Sequence, residues 1–510
     1  DALNEHPRLV LQAPTGSGKS TQVPQFLLDD GLLGETGEVV ILQPRRVAAR
    51  MLAKRVAHER SVSLGGEVGY QIRFDNLVSK NTRIRFVTEG ILLRQILEDP
   101  TLPNVSAIVF DEFHERNLYT DLTLALAKEA QQKHRCDLKI LVMSATLDSA
   151  PLTDYLQPCK LVKTDGRTFP VKIEYAANPA RAQARNIWDK AAYAAGRIAR
   201  TSTEGDMLIF MPGAREIHRT LSALEREGLA REFECVPLYG ELSAQMQDRA
   251  LESSGKRKII VSTNIAETSL TIPTVTTVID SGLARVNRYD PHRAVNSLLV
   301  ENICKSSAVQ RTGRAGRVRE GRCIRLWGAA EHLYRAERLA PEIHRVDLSD
   351  TLLLLKASGI EKVDTLPWFE KPKDVLLEQA TDLLTSLGAL DADGAITELG
   401  RRMAKFPMHP RYARLMITAQ SFDCVSEICD IVAIAEERRI LLPLEDKRQA
   451  HARLDMLNAP ESSDFFPIMA ALRLAKEKRF ERDFCHQWGI HAIAARRACQ
   501  SADQYRHLAE

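Results

Sequence analysis

The stretch APTGSGKST, Ala13–Thr21, has the residue types and spacing of a phosphate cradle. Gly16 and Gly18 let backbone N–H groups come close to an anion, and Lys19 reaches the β and γ oxygens of a triphosphate. Ser20 offers a hydroxyl to Mg²⁺, and a helix starting here would turn its N-terminal dipole on the charge. Thr15, Ser17 and Thr21 complete the set of binding residues. Ala13 stands where glycine is usual, which restricts φ at the loop entrance but removes no donor. The partner motif is AIVFDEFH, Ala107–His114, an apolar run that ends in adjacent carboxylates. A buried strand ending there would place Asp111 at a sheet edge to hold hydrated Mg²⁺, with Glu112 set to orient or deprotonate water. Ser20, Asp111 and Glu112 are thus the candidate metal set. A strand-end Asp-Glu by itself is more often a surface turn; beside a phosphate cradle it means nucleotide hydrolysis.

A basic constellation follows in QRTGRAGR, Gln310–Arg317. If the segment is helical, Arg314 and Arg317 lie one turn apart and their guanidinium groups face the same way, while Gly313 and Gly316 leave room for close approach. They read as arginine fingers, each worth about 10³ to 10⁵ in rate, or about 4 to 7 kcal/mol of barrier. Structural salt bridges are the alternative. Between Arg285 and Arg325 ten Lys/Arg stand against three Asp/Glu, a local charge of +7 in a chain whose total is +3. The choice is between a polyanion-binding face and an ordinary solvated basic surface.

These residues need strands and helices to hold them. Runs apolar at every position, LVLQA, VVILQ, IRFVT, AIVFDE and ILVMSAT, recur from Leu9 to Ala145 with helix-length spacers. Such runs suit strands covered on both faces, so a parallel α/β sheet is predicted. The pattern repeats from Met207 to Trp327 as MLIFMPG, ECVPLYG, KIIVSTN, TVIDSG and CIRLW, with a helical spacer over 214–227. Two tandem α/β domains follow, joined near DGRTFPVK, Asp165–Lys172. Beyond Leu339 the chain reads as mostly α, with Ser349 capping one helix, Gly388 ending another, and a turn at Asp391–Gly394 leading into a small winged unit. From about His409 the segments suggest a helical bundle.

Composition is compatible with this plan. At about 150 residues per domain, 510 residues make three to four domains. The 27% charged and 44% hydrophobic content excludes fibrous and disordered classes. No apolar run approaches the ~18 residues of a membrane span, and DALNEHPRLV lacks the layout of a signal peptide. Nine cysteines without a CxxC pair suggest free thiols in a reducing compartment, so a cytoplasmic protein is expected.

Taken in order, APTGSGKS, LQPRRVAAR, VTEG, DEFH, SAT, LIFMPG, STNIAETSLTIP and QRTGRAGR run along nearly the whole chain. In this collinear set the chain resembles the DEAH-box (DEAH/RHA) group of superfamily 2 RNA helicases, and DEFHER, Asp111–Arg116, looks most like the bacterial HrpB-type members. The resemblance implies two RecA-like domains (1–165, 166–340) closing on NTP, then a winged-helix domain (341–407) and a ratchet-like helical bundle (408–510). It assigns Lys19, Ser20, Asp111 and Glu112 of the first lobe and Gln310, Arg314 and Arg317 of the second to the reaction. His114 and the segment 144–146 would couple hydrolysis to movement. Ser269 and Thr271 would approach the water network and ribose, although Pro273 stands where an acidic residue is common. The base would sit between Arg55 and Leu251, the latter where relatives carry an aromatic, so little discrimination among NTPs is predicted. Arg45, Arg46, Arg73, Phe74, Thr88, Thr263 and Asn264 would lie along a single strand of RNA, or of DNA, giving affinity without sequence reading. Val286–Val300 corresponds to a strand-separating hairpin. The implied activity is ATP-dependent, Mg²⁺-dependent 3′ to 5′ translocation and unwinding by a monomer. HrpB-like relatives continue well past the bundle, so a fragment is implied. The alternatives are a nucleic-acid clamp whose release is timed by hydrolysis and a P-loop NTPase acting on protein.

Overall fold

The computed structural model describes the chain apart from residues 74, 146–148, 166–168, 177–185, 202–203, 253–254, 269–271, 291–294, 438–439, 445, 461 and 510, and apart from the side chains of 290 and 295. The first sheet is built from β1 (Arg8–Gln12), β2 (Glu38–Gln43), β3 (Val68–Ile72), β4 (Asp75–Leu77), β5 (Ile84–Thr88), β6 (Val105–Phe110), β7 (Lys139–Ser144) and β8 (Cys159–Lys163). Their spatial order is β4-β3-β5-β2-β6-β7-β1-β8, with every pairing parallel except β3 with β4. Val39, Val40, Ile41 and Leu42 on β2 are all 0% exposed, which is why their sequence is apolar without alternation. Each such side chain contributes about 1.5 to 3 kcal/mol by leaving water.

The second sheet contains β9 (Val171–Tyr175), β10 (Asp206–Phe210), β11 (Glu234–Leu238), β12 (Lys258–Ser262), β13 (Val275–Asp280) and, after the antiparallel hairpin β14 (Leu283–Asp290) and β15 (Val295–Asn302), β16 (Gly321–Arg325). Its order is β11-β12-β10-β13-β16-β9, parallel throughout. The expected α/β class with two tandem RecA-like sheets therefore holds. In such sheets ligands collect at the carboxyl ends of strands, where chain order reverses. The phosphate loop leaves β1 and Asp111 follows β6 at that end of the first sheet.

Both sheets belong to one compact unit, Asp1–Asp347 with Asp364–Lys373; the other unit is Leu348–Val363 with Asp374–Glu510. The second unit is helical, from Ser349–Ala357 through Pro410–Ser421 and Val425–Glu436 to Ala492–Ala509. Ser349 does not cap its helix: Leu348 occupies that position and Ser349 is fully buried in the first turn. Gly388, at φ +74°, follows the helix Asp374–Ser386 as a terminator should. Asp391 Oδ1 accepts from the Asp393 and Ala395 amides, and a single bridge joins Leu390 to Ile396, a wing reduced to its turn. All nine cysteines are free. Among the described residues no helix is long and apolar enough to cross a membrane.

Candidate active site between the two lobes

Gly16 and Gly18 adopt φ of +89° and +83°, and Gly18 caps the helix Lys19–Asp29, so the loop takes the left-handed turns its glycines permit. The first-turn amides and Lys19 then converge on one point. Asp111 and Glu112 are buried there. Asp111 Oδ2 accepts from Gln43 Nε2 at 2.6 Å, Oδ1 accepts from the Glu112 amide at 2.9 Å, and the Ser20 side chain is hydrogen-bonded to the same carboxylate. Lys19 Nζ is 3.9 Å from Glu112 Oε1, and His114 Nε2 is 3.6 Å from Glu112 Oε2. Glu112 and Arg116, at φ 51° and 50°, bracket the single helical turn Phe113–Glu115. Left-handed conformation at two non-glycine residues costs about 1 to 3 kcal/mol each, and strain of this kind is retained where it aims a side chain.

The electrostatics divide the two acids. Burial pushes both carboxyls up, but Lys19, His114, Arg314 and Arg317 outweigh it at Glu112, which is held below its usual range. Asp111 is raised, by burial first and by the Glu112 charge second. Glu112 Oε2 has no hydrogen-bond partner although it is buried. Two adjacent buried acids with the Ser20 hydroxyl beside one of them are a hard-oxygen set suited to Mg²⁺.

The second lobe brings its arginines to this point by a route different from the expected one. The helix Lys305–Thr312 ends before Arg314, so Arg314 and Arg317 lie in the irregular turn beyond it and do not share a helical face. Arg314 Nε donates to the Glu267 carbonyl at 2.9 Å, and its Nη2 donates to the Glu267 and Thr268 carbonyls. Arg317 stands over the phosphate loop, where a methyl group added at Gly16 would be 2.9 Å from its Nη1. Burial lowers both guanidinium groups from their ordinary range, Arg314 further through the Arg317 charge and Arg317 to about 10. Gln310 lies on the last turn of the helix and faces a neighbouring cavity with His114.

Two cavities meet here. One, of about 620 Å³, is lined by Thr15, Gly16, Gly18, Lys19, Ser20 and Thr21, by Glu112, Thr268, Pro273 and Arg317, and at its far end by Arg55 and Leu251. Ser17 forms the preceding turn, its amide on the Pro14 carbonyl. Arg55 Nε donates to Glu59 Oε1 at 2.6 Å and its side chain is 65% exposed. The second cavity, of about 490 Å³, includes Arg45, His114, Asn264 and Gln310. Arg45 links the lobes, donating to the Asn264 carbonyl at 2.8 Å and pairing with Glu115 at 3.1 Å. Thr263 opens the turn Asn264–Ala266. Thr88 precedes the helix Glu89–Glu98, Arg46 is exposed at the start of Arg46–Glu59, and Arg73 is exposed between β3 and β4, so the structure does not gather these with Arg45 into one cavity. Phe74, Thr146, Ser269 and Thr271 lie outside the described residues. The Ala145 amide is 3.5 Å from His114 Nδ1.

Sequence reasoning missed Gln43, Glu115 and Glu267. Glu115 holds Arg45 and accepts from Thr268 Oγ1 at 2.6 Å. Glu267 offers its carbonyl to Arg314 and its carboxylate to Arg311 at 2.8 Å. Arg311, Arg314 and Arg325 are at most 3% exposed, so the +7 stretch is not a continuous solvated face. The motif neighbours of these acids, DEFHER and NIAET, were the available signal.

A cleft floored by a glycine-rich loop and paired acids, and roofed by arginines from a second parallel sheet, is the layout of a two-lobed P-loop core. Residues 1–154 match the DEAD/DEAH box helicase family and 189–319 the helicase conserved C-terminal domain; 380–408 and 409–496 match the winged-helix and ratchet-like parts of the helicase associated domain HA2. Probable ATP-dependent RNA helicase DHX35 of Homo sapiens is 35% identical over 527 residues, covering 99% of this chain and 74% of that protein. The ATP-dependent RNA helicase HrpA homolog of Haemophilus influenzae is 36% identical over 489 residues, covering 94% of this chain and 37% of that protein. The crystal structure of the Escherichia coli DEAH/RHA helicase HrpB superposes with a TM-score of 0.79 at 36% identity, over 94% of this chain and 59% of that one. The chain belongs to the DEAH-box helicase family, HrpB type. It spans between about a third and three quarters of the length of these relatives.

Proposed function

We propose that this chain is the motor of an NTP-driven RNA helicase that moves 3′ to 5′ along single-stranded RNA and parts duplexes, as its family membership and the cleft between its lobes suggest. The observation that carries the reading is the position of Arg317, a second-lobe cation standing over Gly16 of the phosphate loop. A triphosphate lying on Gly16, Gly18 and Lys19 would meet Arg317 on its outer side, with Arg314 behind it. Charge developing on the transferred phosphoryl group is then neutralised only while the lobes are together. Glu112, kept ionised by its cationic neighbours, orients the attacking water and accepts its proton. Ser20 and Asp111 would hold Mg²⁺, which when bound neutralises phosphate oxygens. Splitting the triphosphate removes the anion that the arginines share with the loop, and the lobes are released.

For the nucleic acid, Arg45, Arg46, Arg73, Phe74, Thr88, Thr263 and Asn264 are assigned to the strand path, and the hairpin β14–β15 to strand separation. Leu298, Leu299 and Val300 on β15 are 57%, 49% and 49% exposed, an apolar edge suited to stacking against a base step. The clamp reading rests on the same contacts without the wedge.

The test is hydrolysis by the parent chain and Glu112→Gln, with and without single-stranded RNA and DNA, followed by unwinding of duplexes with a 3′ or a 5′ overhang. Glu112→Gln should bind nucleotide normally and lose at least about 10² in kcat, the lower range for a lost general base. RNA should stimulate the parent, and only the 3′ overhang should support unwinding. Turnover unchanged by RNA would overturn the reading in favour of a protein substrate.

A further inference from the structure

The chain leaves the helical unit after Val363, joins the first unit for Asp364–Lys373, and re-enters the helical unit at Asp374. This ten-residue excursion docks on the turn that carries Glu112. Leu366 and Trp368 are buried. The Phe369 ring lies 5.9 Å from that of Phe113, which is fully buried inside the turn, and 5.3 Å from that of Tyr155. The Arg116 guanidinium stacks on Phe369 at 4.6 Å from the ring centroid. Glu370 Oε1 accepts from Arg116 Nη1 at 2.6 Å. Asp121 takes the other edge of Arg116, at 3.0 Å from Nε and 2.8 Å from Nη2.

Arg116 is thus held on one face by Phe369 and on two edges by Glu370 and Asp121. It is also the left-handed residue that closes the turn opened by left-handed Glu112. Strained backbone of this kind persists only where its surroundings over-determine it, and at Arg116 part of that surrounding comes from a segment about 250 residues away, 254 for Glu370. A cation–π contact combined with a charged hydrogen bond is stronger and more directional than either alone.

We propose that Phe369 and Glu370 are positioning residues for hydrolysis: they clamp Arg116 so that the turn presents Glu112 to the phosphate site. The inference rests on the assignment of Glu112 made above. Neither residue reaches the triphosphate cavity, so their effect is on the turnover step and not on nucleotide binding.

The experiment uses the full chain, with kcat normalised to the folded fraction from melting curves. Glu370→Ala and Phe369→Leu should each lower RNA-stimulated kcat about tenfold with KM for nucleotide within about twofold of the parent. Glu370→Gln keeps an acceptor for Arg116 and should recover most of the loss. Amide exchange at residues 112–117 should quicken in Glu370→Ala. The proposal is overturned if Glu370→Ala keeps kcat per folded molecule within about twofold of the parent, or if KM rises while kcat holds. Glu112→Gln separates the failures: if it hydrolyses normally the assignment of Glu112 falls, whereas if it is inactive and Glu370→Ala is normal only the clamp falls.

Discussion

Replacing Arg311 by Met should destabilise the second lobe without touching its surface. Arg311 is fully buried, with Nε 2.8 Å from Glu267 Oε2, Nη1 2.8 Å from Asp280 Oδ1 and 3.2 Å from the Leu283 carbonyl, and the guanidinium 4.8 Å from the Phe210 ring centroid. Burial alone would lower its pKa; the charges of Asp280 and Glu267 raise it above the ordinary value. Methionine keeps most of the apolar stem and removes the cation. Asp280, 0% exposed, and Glu267, 7% exposed, then lose the charge that compensates them. Breaking a buried pair by removing one partner costs about 3 to 5 kcal/mol.

For a lobe of this size each kcal/mol shifts Tm by about 2 to 4 °C, so the second-lobe transition should fall by about 6 to 20 °C. Arg311→Met with Asp280→Asn should recover part of the loss at neutral pH. Because the Glu267 carbonyl also receives Arg314, the single variant should lose turnover beyond its loss of folded protein. Differential scanning calorimetry at neutral pH checks the argument. A transition within about 2 °C of the parent would refute the claim that Arg311 is held by charge and not by packing.

Two further outcomes follow from other buried or lining groups. Glu89 accepts from Thr120 Oγ1 at 2.6 Å and Asn117 Nδ2 at 2.9 Å, and burial, aided by Glu342 and Glu115, pushes its carboxyl up to about 8. Between about 4.3 and 8 the folded state binds the extra proton, so stability falls as pH rises through that window, by up to about 5 kcal/mol in all. Glu89→Gln should melt with the parent at pH ~5 and above it at pH ~9; parallel curves would refute the assignment. Leu251 offers no ring for base stacking, a contact worth about 1 to 3 kcal/mol, so kcat/KM for ATP, GTP and CTP should agree within about tenfold. A preference for ATP of about a hundredfold would count against an open base site.

How much of this was legible depended on whether the local sequence recorded the local environment. β1, β2, β5, β6 and β7 are buried on both faces and announced themselves as apolar runs. β4, three exposed residues, and β9, VKIEY at a sheet edge with no fully buried residue, carry little apolar pattern because water reaches along their length. The phosphate loop was readable to the residue because its backbone geometry demands glycine at Gly16 and Gly18. The arginine turn was readable only in kind. Its residue types were identified, but the helical face assigned to Arg314 and Arg317 was wrong, since a glycine at 313 ends the helix before either. The clamp on Arg116 was invisible, because no pattern within DEFHER indicates that its partners sit at 369 and 370.

The three arginines of QRTGRAGR show why residue type cannot fix role. Arg311, Arg314 and Arg317 are spaced at equal intervals, the first two buried and the third partly so, yet the first is raised by two carboxylates while the others are lowered by burial and, for Arg314, by its neighbour Arg317. A cation matched to two buried acids is an anchor, since an incoming anion could add little to a charge already compensated. Cations depressed by burial gain most from a new anion. On the proposed reading that difference is the working principle of the cleft: Arg311 fixes the turn to the second sheet, and the two arginines beyond it are stabilised by the triphosphate. The closed state is then favoured by bound nucleotide in proportion to how poorly those two cations are accommodated without it. Substituting an acid near Arg317 would weaken that dependence, by raising its pKa before nucleotide arrives.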